Sequence, residues 1–315
     1  MMITTLGDTG LRVTRIGLGL AALGRPGYIN LGHGADLAGH TDPAALERAA
    51  HDVLDAAYAG GVRYFDAARS YGKAEAFLAS WLAARGFGRD DVTVGSKWGY
   101  TYTAGWRTDA EVNEVKDLSA EHFRRQLIQT RELLAEHLCL YQIHSATIES
   151  GVLDDAAVRE ELAGLRATGV FIGFTTTGPH QAQTIERALE VGGFDAVQST
   201  FNLIERSAAS ALAAAHDAGL GVIIKEALAN GRLTDRGDAA PLVAAAREEG
   251  TTPDGLALAY VLSQPWVDVV LSGAATVEQF QSNLKALLVE DPETLDDLVE
   301  DPETYWHERG ELPWN

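Results

Sequence analysis

Eight short apolar runs, each followed by an amphipathic window of helical spacing, constrain this chain more than any other feature of its 315 residues. The runs are IGLGL at 16–20, VRYFDA at 62–67, VTVGSK at 92–97, LCLYQIH at 138–144, VFIGFT at 170–175, FDAVQS at 194–199, LGVIIKEA at 220–227 and VDVVLSG at 267–273. Apolar runs of this length read as strands. Helix-like windows lie between them at 43–60, 73–86, 119–137, 155–167, 179–191, 206–218, 239–249 with 253–263, and 276–288, several opened by Asp, Ser or Thr in capping positions. Eight strand-then-helix units in series predict an α/β fold, the (β/α)8 or TIM barrel. Ahead of them, ITTLGDTGLRVT reads as a β-hairpin about Gly7-Asp8-Thr9-Gly10, and a helical tail closes the chain. A doubly wound open sheet is the competing architecture. It would announce itself by a Gly-rich strand-to-helix turn, and GLGLAALG at 17–24 lacks GxGxxG spacing. The length suits one barrel with extra loops, and no boundary favours two units, so residues 1–315 are read as a single domain.

Composition narrows the function. No uninterrupted apolar stretch approaches the roughly 20 residues that span a bilayer, and MMITTLGDTG resembles no secretory leader, so a soluble, cytoplasmic protein is expected. The single Cys139 lies in an apolar strand and reads as packing rather than as a reactive thiol. A net charge of −20, from 45 acidic and 25 basic residues, repels nucleic acid and anionic membranes. The expected partner is a small molecule, and the charged surface favours a monomer. The same field opposes an anionic cofactor, so a dinucleotide site must build its own local pocket of positive charge or free N–H groups.

Reactive groups of a (β/α)8 barrel gather at the C-terminal ends of its strands, and few polar residues close these runs. The second ends in Asp66 with Tyr71 just beyond (FDAARSYG), the third in Lys97 (VGSKWG), and the fourth in His144 (LYQIH). Each alone has a bland explanation, as a helix cap, a solvated lysine or a satisfied polar plug. On adjacent strands at one rim they form a set suited to carbonyl reduction by hydride, in which the developing alkoxide must be given a proton. Tyr71 is the donor in this reading. Lys97 would lower its pKa by stabilising the phenolate, Asp66 would hold the ammonium, and a neutral His144 would orient the substrate oxygen. No GxSxG, HExxH, paired-Cys or GxxxxGK[ST] pattern offers another chemistry, and no metal site is expected.

Two connections are long, 21–42 and 98–118, and loops of that length are usually functional. Tyr28 in the first and Trp98 and Trp106 in the second are candidate walls of a substrate pocket, though such aromatics equally serve to pin a loop to the barrel. After the last strand, Ser272 and Gly273 lead to a helix beginning near Thr276, where barrels often bind phosphate, and Thr276 with Gln279 has capping-box spacing.

From LGDTGLRVTRIGLGL to SGAATVEQFQSNLKA, the sequence resembles the aldo-keto reductase superfamily. GVRYFDAARSYG resembles its Asp-and-Tyr segment, SKWG its Lys segment and LYQIH its His segment, and IGFTTTGPHQ stands where the family usually has Ser-Asn. The resemblance implies NAD(P)H-dependent reduction of aldehydes, ketones or sugar-like carbonyls by Asp66, Tyr71, Lys97 and His144. It also implies an NADP(H) surface, with NAD(H) as the alternative, at Gly19, Leu20, Thr175, Thr176, Gln198, Lys225, Ser272, Gly273, Gln279 and Asn283. Two departures bear on that surface. Ala275 or Gln279 stands where many members grip the adenosine 2′-phosphate with Arg, and strand seven offers Lys225-Glu226 in place of an aromatic residue. Lys225 either serves phosphate or neutralises Glu226. An NAD-linked sugar dehydrogenase and a cofactor-binding regulatory subunit with negligible turnover are the alternative functions.

Overall fold

Parallel strands close on themselves in chain order, as the eight runs require. The computed structural model describes residues 1–315. An antiparallel pair, β1 (Ile3–Thr5) and β2 (Arg12–Thr14), precedes β3 (Ile16–Gly19), the short α1 (His33–Asp36), α2 (Pro43–Ala59), β4 (Tyr64–Asp66) and α3 (Ala74–Arg85). Next come β5 (Thr93–Trp98), β6 (Tyr100–Tyr102), β7 (Glu114–Lys116), α4 (Ala120–Leu134), β8 (Leu138–Ala146), α5 (Ala156–Arg166), β9 (Phe171–Thr176) and α6 (Gln181–Val191). The chain ends with β10 (Ala196–Thr200), α7 (Ala209–Asp217), β11 (Gly221–Lys225), α8 (Ala240–Glu248), α9 (Pro253–Leu262), β12 (Val269–Ser272), α10 (Val277–Asn283) and α11 (Pro302–Gly310). The ring runs β3–β4–β5–β8–β9–β10–β11–β12 and returns to β3.

Helix starts follow from side-chain chemistry. Asp42, Ser119, Asp155, Thr276 and Asp301 each accept a backbone N–H of the helix that follows, and Pro43 and Pro302 open α2 and α11, where a missing N–H costs nothing. The N-terminal hairpin seals one mouth of the barrel. Its Leu6 and Val13 are fully buried with Tyr64, Leu140, Ala196, Ile223 and Val269 in one apolar cluster. Gly7 sits so close to the chain at 219–221 that a Cβ would fall 2.4 Å from the Gly221 nitrogen, at a φ of +47° that favours glycine anyway. A larger cluster of 67 buried residues joins strands to helices, so most of the apolar burial that stabilises the fold lies outside the barrel wall.

The period of two along each strand decides which side chains reach the barrel interior. On β4, Tyr64 and Asp66 meet inside through a 3.2 Å hydrogen bond, while Phe65 turns outward onto Trp81 of α3. On β5, Lys97 reaches Asp66, whereas Ser96 bonds Glu75 of α3 and Trp98 packs on Phe123 of α4. The second long connection is not a bare loop. Trp98 is the last residue of β5, and β6 and β7 pair as a ribbon from Tyr100↔Lys116 to Tyr102↔Glu114.

Candidate active site

At the C-terminal mouth the strand ends surround a cavity of about 680 Å³, within the range of about 300–1,000 Å³ common for small-molecule sites. Asp66, Tyr71 and His144 line it, and Lys97 lies fully buried just behind Tyr71. An ammonium has three protons to place. Those of Lys97 go to Asp66 Oδ2, to the Ala67 carbonyl at 3.0 Å and to Tyr71 Oη at 3.3 Å. The other carboxylate oxygen of Asp66 accepts from Tyr64 Oη (3.2 Å), Gln142 Nε2 (3.2 Å) and Gln198 Nε2 (3.1 Å). A buried ion pair is stable only when the remaining lone pairs and protons are met in this way. Gly95 makes room for it, since a Cβ there would lie 2.5 Å from Tyr64 Oη.

His144 Nε2 stands 3.5 Å from Tyr71 Oη and its Nδ1 3.5 Å from Ser70 Oγ, with Tyr71 and Tyr100 edge-on to its ring. Burial, and then the cations Lys97, Lys225 and Arg25, push the imidazole well below its usual pKa, so it is neutral at pH 7. Tyr71 moves the other way from the expectation that Lys97 lowers it. Burial first and the Asp66 carboxylate second raise the phenol well above its ordinary value, with Arg25 pulling down. The phenol is therefore held protonated at rest.

Of the expected cofactor residues, Gly19, Gln198, Lys225, Ser272, Gly273, Gln279 and Asn283 line the cavity. Leu20, Thr175 and Thr176 do not. Leu20 follows the outward-facing phase of β3 into the outer core. Thr176 bonds Ser199 and Gln181 on the helix side of β9, and Thr175 is capped by the Ser145 N–H at 2.7 Å; Thr177 lines the cavity in their place. Of the expected pocket aromatics Tyr28 lines the cavity, whereas Trp98 packs outward and Trp106 donates to the Thr41 carbonyl at 2.6 Å, pinning one long connection to the other.

The remaining polar atoms fit a nicotinamide dinucleotide. Gln198 keeps Oε1 free of protein donors, an acceptor for a carboxamide, while its Nε2 is spent on Asp66. Gln279 accepts the Ala275 N–H at 2.8 Å, leaving its amide nitrogen free beside the cavity. Asn283 is less free than expected, accepting from Ser272 Oγ and donating to Asp254, each at 2.7 Å. Lys225 lines the cavity and lies 3.7 Å from Glu226, which matches the neutralising role expected as one of its two alternatives.

Sequence reasoning paired Glu226 with Lys225 but missed the arginines of the site and their partners. Glu226, at φ +53° after β11, receives the Nε and Nη2 edge of Arg309 from α11. Burial alone would raise the Glu226 carboxyl, but Arg309 and Lys225 hold it down to about 2, while burial brings Lys225 down to about 8. Arg25, only 2% exposed, stands under the Trp314 ring at 4.4 Å and pairs with Glu114 at 2.5 Å. Neither arginine belongs to an apolar period. The one hint was the tail WHERGELPWN, where aromatic and basic residues follow the acidic repeats EDPET.

The chain matches the family model described as the Aldo/keto reductase family over residues 15–300. It is 28% identical over 321 residues to YrpG, an uncharacterised oxidoreductase of Bacillus subtilis (strain 168), with 91% of each chain covered. It is 27% identical over 323 residues to the L-galactose dehydrogenase of Arabidopsis thaliana, covering 94% of this chain and 92% of that one. An aldo-keto reductase from Bacillus halodurans, solved in its holo form, has a similar fold, with a TM-score of 0.71 at 20% identity over 98% of this chain and 96% of that one.

Proposed function

This chain belongs to the aldo/keto reductase family of oxidoreductases, and we propose that it reduces aldehydes, ketones or sugar-like carbonyls to alcohols with NAD(P)H. One observation carries the reading: a fully buried Lys97 holds Asp66 and the hydroxyl of Tyr71 together at the floor of the cavity. The bound coenzyme supplies the hydride; this chain supplies the proton and the geometry. The substrate carbonyl oxygen sits between Tyr71 Oη and His144 Nε2, which are 3.5 Å apart. Neutral His144 orients that oxygen, and Tyr71 gives it a proton as charge develops. Lys97 then faces a phenolate, and Asp66 keeps the ammonium in place.

Coenzyme choice follows from charge. The cavity wall formed by 252–254 and 271–283 presents Asp254 and Glu278 and no lysine or arginine. An adenosine 2′-phosphate laid there would meet like charge, whereas a ribose diol could donate to a carboxylate. That favours NAD(H), and with it the second reading, an NAD-linked sugar dehydrogenase, which the similarity to a sugar dehydrogenase also supports. A cytoplasmic monomer acting on a small molecule remains the expected setting; no helix is long and apolar enough to cross a membrane.

The test is consumption of NADH and of NADPH with a panel of activated aldehydes and aldoses, alongside direct titration of each coenzyme. Turnover that disappears in Tyr71→Phe while coenzyme still binds supports the mechanism. Binding without turnover across the panel would sink it and leave the regulatory-subunit reading in its place.

A further inference from the structure

Arg25 lies in the connection after β3, and its guanidinium is used on one side only. Its Nη1 donates to the Ser70 carbonyl at 2.8 Å and to Glu114 at 2.5 Å. Its Nε is buried with no partner, and its Nη2 meets no protein acceptor. Arg15 and Arg69 also leave Nε bare, but of the three only Arg25 lines the cavity. An unmet buried donor is costly, and a side chain 98% removed from solvent keeps such a donor only where something else supplies the acceptor.

The Nε and Nη2 edge, unpaired and with Nε closed off from solvent, is the one that grips a carboxylate through two parallel hydrogen bonds. This chain shows that pairing elsewhere: Arg309 on Glu226 and Arg85 on Asp55 both use Nε and Nη2. Around Arg25 the rings of Trp314, Tyr28 and Tyr71 stand 4.4, 5.3 and 5.3 Å from Cζ, so the guanidinium is held in position before any ligand arrives. One of those rings is the proposed acid. The charges near it also suit an anion. Beside Tyr71, Lys97, Arg25, Lys225 and Arg309 stand against Asp66, Glu114 and Glu226, whereas the rest of the cavity lining, with Asp36, Asp235, Asp254 and Glu278 against Arg236, is acidic.

We infer that the substrate is a short oxo acid, an aldehyde or ketone whose own carboxylate sits on the free Nε and Nη2 edge of Arg25 while its carbonyl oxygen reaches Tyr71. This rests on the reductase reading above. The carbonyl carbon takes the hydride of NAD(P)H and the oxygen takes the Tyr71 proton, giving a hydroxy acid and the oxidised coenzyme. Tyr28, whose hydroxyl makes no hydrogen bond within the chain, lines the same side of the cavity and supplies a further donor to the carboxylate.

The experiment compares 4-oxobutanoate with butanal, which has the same chain length and no charge, in wild type, Arg25→Met and Arg25→Lys. Wild type should prefer the acid in kcat/KM by on the order of 10²-fold, the worth of a bidentate charge-assisted pair. In Arg25→Met the ratio of acid to butanal should collapse toward one, chiefly through KM for the acid. Arg25→Lys, a point charge without the fork, should recover only part of it. Circular dichroism and thermal melting establish that each variant is folded. Calorimetric titration of succinate, which cannot be reduced, reads the site without turnover: saturable binding in wild type that is lost in Arg25→Met supports the inference. Butanal reduced as well as the acid, or succinate bound equally by wild type and Arg25→Met, would overturn the oxo-acid reading while leaving the reductase intact. If neither carbonyl is reduced but succinate still binds through Arg25, the reductase reading fails and the carboxylate site stands.

Discussion

Replacing Lys97 with Met tests whether the buried ion pair belongs to the fold as well as to the chemistry. The variant keeps a side chain of similar length and removes the cation. Asp66, 1% exposed, then retains only the Tyr64 hydroxyl and the Gln142 and Gln198 amides, at 3.2, 3.2 and 3.1 Å. Removing one partner of a buried pair typically costs about 3–5 kcal/mol. Three dipolar donors still facing the carboxylate place the cost at the low end, about 3 kcal/mol. Against a total stability of about 5–15 kcal/mol that is a large fraction. The double variant Lys97→Met/Asp66→Asn removes both charges yet keeps a carbonyl acceptor for Tyr64, Gln142 and Gln198. It should regain about 1–2 kcal/mol over the single variant, because no unpaired charge remains buried. Urea unfolding at pH 7, followed by circular dichroism and tryptophan fluorescence, measures both. A single variant within about 1 kcal/mol of wild type, or a double variant no more stable than the single, would refute the argument.

Tyr71→Phe should behave differently, since it deletes only two long contacts, at 3.3 and 3.5 Å, and leaves Lys97 its other two acceptors. Urea midpoints should show a loss of no more than about 1 kcal/mol, while kcat/KM falls by about 10²–10⁴-fold; equal losses in folding and barrier would contradict the assigned role. With Tyr71 raised above 10 and His144 lowered below 6.5, the rate of reduction should be level between those values, and a step near pH 7 that survives in Lys225→Met would argue against neutral His144. Glu226 has a folded pKa lowered to about 2, so its stabilisation is complete above the ordinary carboxylate value and is lost as pH falls toward 2; Glu226→Gln should flatten that acid limb in melting curves. Gly95→Ala should cost about 1–3 kcal/mol by driving Tyr64 off Asp66, and an unchanged melting temperature would show that the barrel interior yields there.

The barrel was legible because its signal is local. Each of the eight runs overlaps a barrel strand, and the period of two within a strand places Asp66, Lys97, His144 and Gln198 on the inner face. The same period, applied to Trp98 and Thr176, would have turned them toward the helices, where the structure has them. Arg25, Glu114, Arg309 and Trp314 were beyond such reasoning. They come from a long connection, a two-stranded ribbon and the C-terminal tail, and they meet over the cavity only when the chain is folded. The sequence determined the number of barrel strands, their phase and the four residues at the rim, since backbone geometry and hydrophobic period act over a few residues. The direction of the Tyr71 shift and the unpaired edge of Arg25 depend on burial and on partners distant in sequence, as with Arg25 and Glu114, 89 positions apart. Those only the tertiary structure decided.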